Sequence, residues 1–349
     1  MRARRDGAII GFGNVAAQGH VPGWRARRDF RIVAVADTDP QRRTLAQRLL
    51  PGVRTYASGA ALLHAERLDF VDIATPPALH APAIVAAARA GLHVLCEKPL
   101  TTSLADYEAV RAAVRESGVV LHTVHNWKYS EGFRAARRCV AGGTLGRLKR
   151  ISFDTARNGF AAGSADWRVR ASLAGGGILV DHGWHAFYLL LALAAEPPRR
   201  ISATLERRRY ADAEVEDTAR CTIDFPSLDA EIRLTWAART RRTRWCMVGA
   251  DGRLTIDDDR LVMQGKGAPQ GQRLATALSH GSHHPEWFAG VLEAFQQELD
   301  EPSARGANQA EAEWCLLMLN LAYASGARDA RPLDIPDRRV WFNGGCGRV

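Results

Sequence analysis

The stretch Gly11-Phe12-Gly13-Asn14-Val15-Ala16 constrains this chain more than any other. A short apolar run, Gly7-Ala8-Ile9-Ile10, precedes it, and a segment of helical pattern follows it to about Arg28. Arg31-Ile32-Val33-Ala34-Val35-Ala36-Asp37 then reads as a second buried strand closed by a carboxylate. Strand, glycine turn, helix, strand and acid, in that order, is the pattern of a dinucleotide-binding unit. Gly11 permits the tight turn, Gly13 lets backbone come close to a pyrophosphate, and Ala16 still allows close helix–strand packing. The following helix aims free N–H groups and its positive dipole end at the phosphates. Gly11, Phe12, Gly13, Asn14 and Val15 are therefore the expected phosphate contacts. Asp37, with neutral Thr38 after it, is expected on the adenosine ribose, where a carboxylate accepts hydroxyl hydrogen bonds and repels a 2′-phosphate. That favours NAD(H). Arg42 and Arg43 are the cations that keep NADP(H) as the alternative.

Strand-like and helical segments continue to alternate beyond Asp37. Helical patterns cover 40–50, 79–90 and 103–117, the last with Ser103 placed to cap it. Apolar strands cover 54–57, 70–75, 93–99 and 119–124. Such alternation predicts a parallel, doubly wound sheet, whose ligands bind at the carboxyl ends of the strands. Those ends are Gly11, Asp37, Thr75, Glu97-Lys98 and His125-Asn126. After a helix at 133–141 the pattern changes. Segments 199–209, 215–225, 230–238 and 244–248 read as antiparallel strands, and 286–299 and 309–325 as helices. The expected architecture is an α/β Rossmann domain at 1–126, followed by an α+β domain at 127–349 with a large open, mainly antiparallel sheet. A length of 349 residues suits two domains.

Charge and cysteine content narrow the partners. The formal net charge of +9 invites a nucleic-acid reading, but four of the 47 basic residues are Lys (98, 128, 149 and 266) and the rest Arg. No basic and aromatic array accompanies them. The densest run, 239–244, sits between strand-like segments and reads as a solvated edge or an oligomer contact. Where this chain does use a Lys, a compact group able to change its proton is the reason to look closer. No apolar run approaches the ~20 residues that span a bilayer. The apolar run behind the basic start breaks at Gly11, so it reads as a strand and not as a secretory segment. The six cysteines (96, 139, 221, 246, 315 and 346) include no CxxC pair and suit reduced thiols in a cytoplasm. His182, His185, His283 and His284 lack metal-ligand spacing, and no metal is expected. No GxSxG elbow points to nucleophile chemistry.

Four pieces occur in one order: the GxGxxA turn, Ala74-Thr75-Pro76-Pro77-Ala78-Leu79-His80, Glu97-Lys98-Pro99, and Gly175-Gly176-Gly177-Ile178-Leu179-Val180-Asp181-His182-Gly183-Trp184-His185. Trp167-Arg168 precedes the last of them. In this the chain resembles the glucose–fructose oxidoreductase / inositol dehydrogenase / rhizopine-catabolism (Gfo/Idh/MocA) family, from the first strand to about Ser325. The resemblance implies a nicotinamide cofactor on the Rossmann domain and a hydride exchanged with a secondary alcohol or ketone of a sugar, cyclitol or sugar derivative. It also implies a homodimer or homotetramer paired through the open sheet. An exposed apolar sheet face would supply the drive, because such a face is a liability unless covered. Thr75, Pro76, His80, Glu97, Lys98 and Asn126 join the expected cofactor contacts. Two other functions share the fold: a dinucleotide-binding sensor without turnover, and a redox-assisted lyase or glycosidase.

By the same resemblance Lys98 points at the nicotinamide and the reacting carbon, and Asp181 and His185 move the hydroxyl proton. Alcohol–ketone exchange needs such a base and a positive group for the developing alkoxide. Spacing supports the pair, since residues four apart share a helix face. Lys98, Lys128, Tyr129, Trp167, Arg168, Arg170, Asp181 and His185 are the expected substrate contacts. Four positions depart from the family. Tyr188 stands where an acid is common, which predicts a missing substrate contact or polar anchor. Lys128-Tyr129 replace an Arg and an apolar residue. Arg170 replaces an acid. Lys128, Arg168 and Arg170 together suit an anionic sugar.

Overall fold

The computed structural model describes residues 4–160, 165–266 and 268–338; Cys346 lies outside them. Contacts divide the chain into two compact units. One runs to Asn126 and takes in His283–Ala312; the other comprises Trp127–Ser282 and the chain from Glu313 onward. A single boundary after Asn126 does not anticipate the return of His283–Ala312.

The first unit holds a six-stranded parallel sheet. Its strands are β1 (Arg5–Ile10), β2 (Phe30–Ala36), β3 (Arg54–Tyr56), β4 (Phe70–Ile73), β5 (His93–Cys96) and β6 (Leu121–Thr123), in the order β3-β2-β1-β4-β5-β6. Continuous apolar runs form these strands because helices cover both faces of a parallel sheet. Ile9, Val35, Val71 and Leu95 are wholly buried. Register then fixes the functional edge. Ile10 pairs with Ala36 and Ile73, Ile73 with Cys96, and Cys96 with Thr123. The strands end in one row, and strand order reverses between β1 and β4, where such sheets bind ligands. Helix Leu104–Ser117 begins with Ser103 Oγ accepting from the Asp106 amide and ends at Gly118 with φ 67°.

One local expectation needs correction. The segment after the glycine turn is a π-helical stretch, Val15–His20, running into an α-helix, Val21–Ala26. Pro22 has no N–H to donate back to residue 18, and its ring crowds an α-helical carbonyl there. The wider π turn accommodates both, with the Val21 amide reaching Ala16.

The second unit holds a nine-stranded sheet. In chain order its strands are β7 (Leu148–Asn158), β8 (Arg200–Glu206), β9 (Thr218–Asp224), β10 (Asp229–Thr235), β11 (Ala237–Gly249), β12 (Arg253–Asp257), β13 (Arg260–Gln264), β14 (Gln270–Arg273) and β15 (Leu333–Asp334). The order is β14-β13-β12-β11-β7-β10-β9-β8-β15, antiparallel throughout except for β7 beside β10. Ile151, Phe153, Cys221, Ile232, Trp245 and Met247 are buried along its inner face. The other face is not apolar, contrary to expectation. Register carries a row across it through Arg220, Arg233, Asp154, Arg244, Asp257 and Arg260. Arg233 pairs with Asp154, Arg220 with Glu231 and Arg242 with Asp257. Helical residues Ala171–Ala194 do have the length and composition to cross a membrane, contrary to the expectation from apolar runs alone. Most of that stretch is buried inside the protein, as a core helix is.

Candidate active site

In the first unit the glycine turn is tied to the end of β2. The Phe12 amide donates to Asp37 Oδ2 at 2.6 Å, and the Asp39 amide donates to Asp37 Oδ1 at 2.8 Å. The acid is thus oriented before any ligand arrives. Gly11 has φ 89°, and a Cβ there would fall 2.8 Å from the Ala74 carbonyl carbon, so this turn demands glycine. Around Gly13 a Cβ would meet nothing within 4 Å; the space beside its backbone is open. Arg42 donates to Asn14 Oδ1 at 2.9 Å, and Arg43 to the carbonyl oxygens of Asp37 and Thr38. Val15 is half-buried at the start of the π turn, while Phe12 is buried and Thr38 exposed.

Along the row of strand ends, Thr75 Oγ1 and Asn126 Oδ1 are buried polar atoms with no hydrogen-bond partner within the protein. Buried polar groups are normally paired, so both mark places for a ligand's polar atoms. These observations fit a dinucleotide. His80 is different. Its ring is wholly buried, with Nδ1 2.8 Å from the Pro99 carbonyl and Nε2 2.9 Å from the Thr75 carbonyl. Burial pushes its pKa down against those two acceptors. It locks the Thr75-Pro76 turn to the Lys98-Pro99 turn, with no ring nitrogen left for a cofactor. Pro76 is half-buried in the first of these turns.

Glu97 is held from two sides. Its Oε2 accepts the Lys98 amide at 3.0 Å and its Oε1 lies 2.9 Å from His20 Nε2. His20 Nδ1 is in turn 2.9 Å from Asp72 Oδ2, which also accepts Trp24 Nε1–H at 2.7 Å. Phe288 stacks on the imidazole at 4.1 Å. Burial by itself would lower the His20 pKa, but Asp72 and Glu97 outweigh it and raise it to about 10. Burial likewise opposes ionisation of Glu97, yet its bond to His20 leaves its pKa lowered. Lys98 is half-buried directly after β5, carried by this network through Glu97. At the end of β6, His125 Nδ1 lies 2.6 Å from Glu311 Oε2, and Asn308 bonds both the amide and the carbonyl of Thr123.

In the second unit the glycine run meets Glu216. Its carboxylate accepts the Gly177 amide at 3.0 Å, the Leu179 amide at 3.0 Å and the Tyr323 hydroxyl at 2.9 Å. Burial raises the Glu216 pKa against these donors. A Cβ on Gly177 would fall 1.8 Å from the Glu216 carbonyl oxygen. From this anchor a π turn, Leu179–Gly183, carries Asp181, and an α-helix, Trp184–Ala194, carries His185. The Asp181 carboxylate is 3.8 Å from His182 Nε2, so His182, given no role by its spacing, lies beside the acid. Nδ1 of His185 is 2.7 Å from the Tyr188 hydroxyl. The expected loss of a polar anchor at position 188 is therefore corrected: Tyr188 is that anchor.

The other expected substrate residues divide. Trp127, Lys128 and Tyr129 lie in one 3₁₀ turn, with Arg134 over the Tyr129 ring. Arg168 rests over the Trp167 ring at 4.3 Å, and Arg170 is exposed. Sequence spacing missed Arg157 on β7. It is buried, bonded to the Arg242 carbonyl and the Thr243 hydroxyl. Burial and neighbouring Arg241 lower its pKa to about 10, with Asp181 and Asp258 opposing.

Comparison with known proteins agrees with this geometry. Residues 6–125 match the model "Oxidoreductase family, NAD-binding Rossmann fold", and 133–255 the "GFO/IDH/MocA C-terminal domain". D-apiose dehydrogenase of Paraburkholderia graminis is 31% identical over 283 residues, covering 78% of this chain and 72% of its own. The chain belongs to the Gfo/Idh/MocA oxidoreductase family. A Streptomyces violaceoruber dTDP-3,4-didehydro-2,6-dideoxy-alpha-D-glucose 3-reductase is 30% identical, over 74% of this chain and 73% of its own. In fold, an inositol dehydrogenase homolog from Azotobacter vinelandii, complexed with NAD+, superimposes with a TM-score of 0.81 at 22% identity, covering 96% of this chain and 98% of that one. The Gfo/Idh/MocA chain described here is accordingly an NAD(P)-dependent oxidoreductase of CH–OH groups.

Proposed function

We propose that this enzyme interconverts a secondary alcohol and a ketone on a sugar, cyclitol or sugar derivative, with NAD(H) preferred. Asp37 carries the cofactor assignment. Both its oxygens are already oriented by backbone amides, leaving acceptor capacity for ribose hydroxyls and a charge that repels a 2′-phosphate. Gly13 supplies the open backbone, and Thr75 and Asn126 the unpaired polar atoms. The dinucleotide, when bound, supplies or accepts the hydride.

The chain's own groups manage the oxygen and its proton. In this reading His185 is the acid/base, Asp181 shares its proton, and Lys98 orients the reacting oxygen and stabilises negative charge on it. Arg157 and Arg241, both under the influence of the Asp181 charge, join Lys128, Arg168 and Arg170, the departures from the family pattern, in favouring a substrate with an anionic substituent. Incubation with a panel of polyols and their ketones, followed by nicotinamide absorbance, tests the reading. Tight NAD(H) binding with no turnover on any of them would favour the sensor.

Pairing of two or four copies, and a place in the cytoplasm, belong to the same reading. The first rests on the family resemblance alone, because the charged outer face of the sheet, with its ion pairs made within the chain, lacks the apolar area expected to drive it. Among the described residues, the thiols of Cys96, Cys139, Cys221 and Cys246 stand outside any disulfide and support the second. Light scattering that finds only monomer at micromolar concentration removes the oligomer.

A further inference from the structure

Resting on the reading of His185 as the group that protonates the reacting oxygen, we propose that Tyr188 is its positioning residue: the phenol donates to Nδ1, holds the ring in one orientation and leaves on Nε2 the proton that passes to a ketone oxygen as Nδ1 takes up the phenol's. His185 and Tyr188 are three apart on helix Trp184–Ala194 and so share a face. Tyr188 is wholly buried, and its hydroxyl accepts the Trp127 amide at 3.1 Å. An amide N–H only donates, so one acceptor site of the phenol oxygen is filled by a fixed backbone group. The phenol oxygen lies 2.7 Å from Nδ1, the short separation typical of an O–H donor, and in this proposal its proton faces that nitrogen. The Trp127 ring lies 5.2 Å from the imidazole, and the phenol ring meets it edge-on at 5.6 Å. Both restrict rotation of the ring.

The identity of this partner has a chemical consequence. A carboxylate at position 188 accepts only, and would keep the proton of a neutral imidazole on Nδ1. A phenol donates, and moves that proton to Nε2. The partner of a histidine's buried nitrogen sets which form the other nitrogen presents.

The test is nitrogen NMR of the full-length protein with ring-labelled histidine, the His185 signals being assigned by their loss in His185→Gln. Wild type is expected to show one tautomer, with Nε2 protonated and Nδ1 hydrogen-bonded. Tyr188→Phe, which keeps the ring volume, should give a mixture of tautomers. Tyr188→Asp should move the proton to Nδ1. A wild-type His185 with Nδ1 protonated, or averaging between forms, overturns the proposal even if neither variant folds. So does a Tyr188→Phe spectrum identical to wild type. The spectra need no turnover: should His185→Ala keep full activity, the catalytic assignment falls while the ring geometry is still decided by NMR.

Discussion

His20 and Asp72 form a buried ion pair at 2.9 Å, with the other nitrogen of the imidazole on Glu97. The pair makes stability depend on pH in a definite direction. The folded pKa of His20, about 10, stands above the ordinary 6.5. A raised pKa means the folded state holds its proton more tightly than the unfolded chain. The contribution is therefore complete below about pH 6.5 and is lost as pH rises toward 10. Glu97, with its pKa lowered, contributes above its unfolded value of 4.5 and loses that only on acidification. Urea denaturation at pH 6, 8 and 10 should show stability falling with pH in wild type. His20→Gln should be less stable at pH 6 and much flatter across the series. Equal slopes would remove the ion pair as the cause.

Asp37→Ser should weaken NAD(H) and improve NADP(H) relative to it. The substitution removes the charge that opposes a 2′-phosphate, and Arg42 and Arg43 are already close by, bonded to Asn14 and to the Asp37 and Thr38 carbonyls. Dissociation constants of wild type and variant for both reduced cofactors measure it. Tighter NADPH binding by wild type, with no gain in the variant, would reverse the assignment.

The Glu216 carboxylate holds the start of the Asp181–His185 segment by two amides and one phenol. Glu216→Ala leaves these buried donors unpaired, at about 1–3 kcal/mol for each. Glu216→Gln keeps one acceptor oxygen and should cost less. Gly177→Ala should be severe as well, because its Cβ would overlap backbone, which cannot swing aside. Thermal melts of the three variants should rank Glu216→Gln above the other two. A wild-type melting temperature for Glu216→Ala would show that the glycine run holds itself.

What the sequence revealed, and what it hid, follows from the range of each interaction. The row of strand ends was legible because each strand is a local apolar run closed by its own breaker. β7 was not, although it lies at the centre of the second sheet: Lys149, Arg150, Asp154 and Arg157 mask its alternation. Partners distant in the chain were also hidden. A charged Asp72 inside a buried strand was itself a signal that some cation must meet it, and His20 lay 52 residues away. Helix Pro285–Asp300 looked like part of the second domain; Phe288 and Phe295 place it on His20, Phe30 and Phe70 instead. Tyr188 stood three residues from His185 on one face, so its contact was readable from helical spacing, but the family pattern drew attention to the missing acid.

The proton assignment makes the sharpest kinetic prediction. His185 is nearly buried, anchored through Nδ1, and mounted on a helix whose first turns are fixed by Glu216. Removing a general acid/base typically costs ~10²–10⁴-fold in rate. His185→Ala should lower kcat by that order while leaving the NADH dissociation constant unchanged, because the residues proposed to hold the dinucleotide all lie in the first unit. Lys98→Ala should also abolish most turnover. Lys98→Arg should recover little of it, since a guanidinium is larger and does not give up its proton. The comparison must be made where chemistry limits the rate, which a primary isotope effect with deuterated alcohol substrate establishes. If His185→Ala then turned over at the wild-type rate, the proton would have to pass through another group, with Tyr129 or Lys98 the next to substitute.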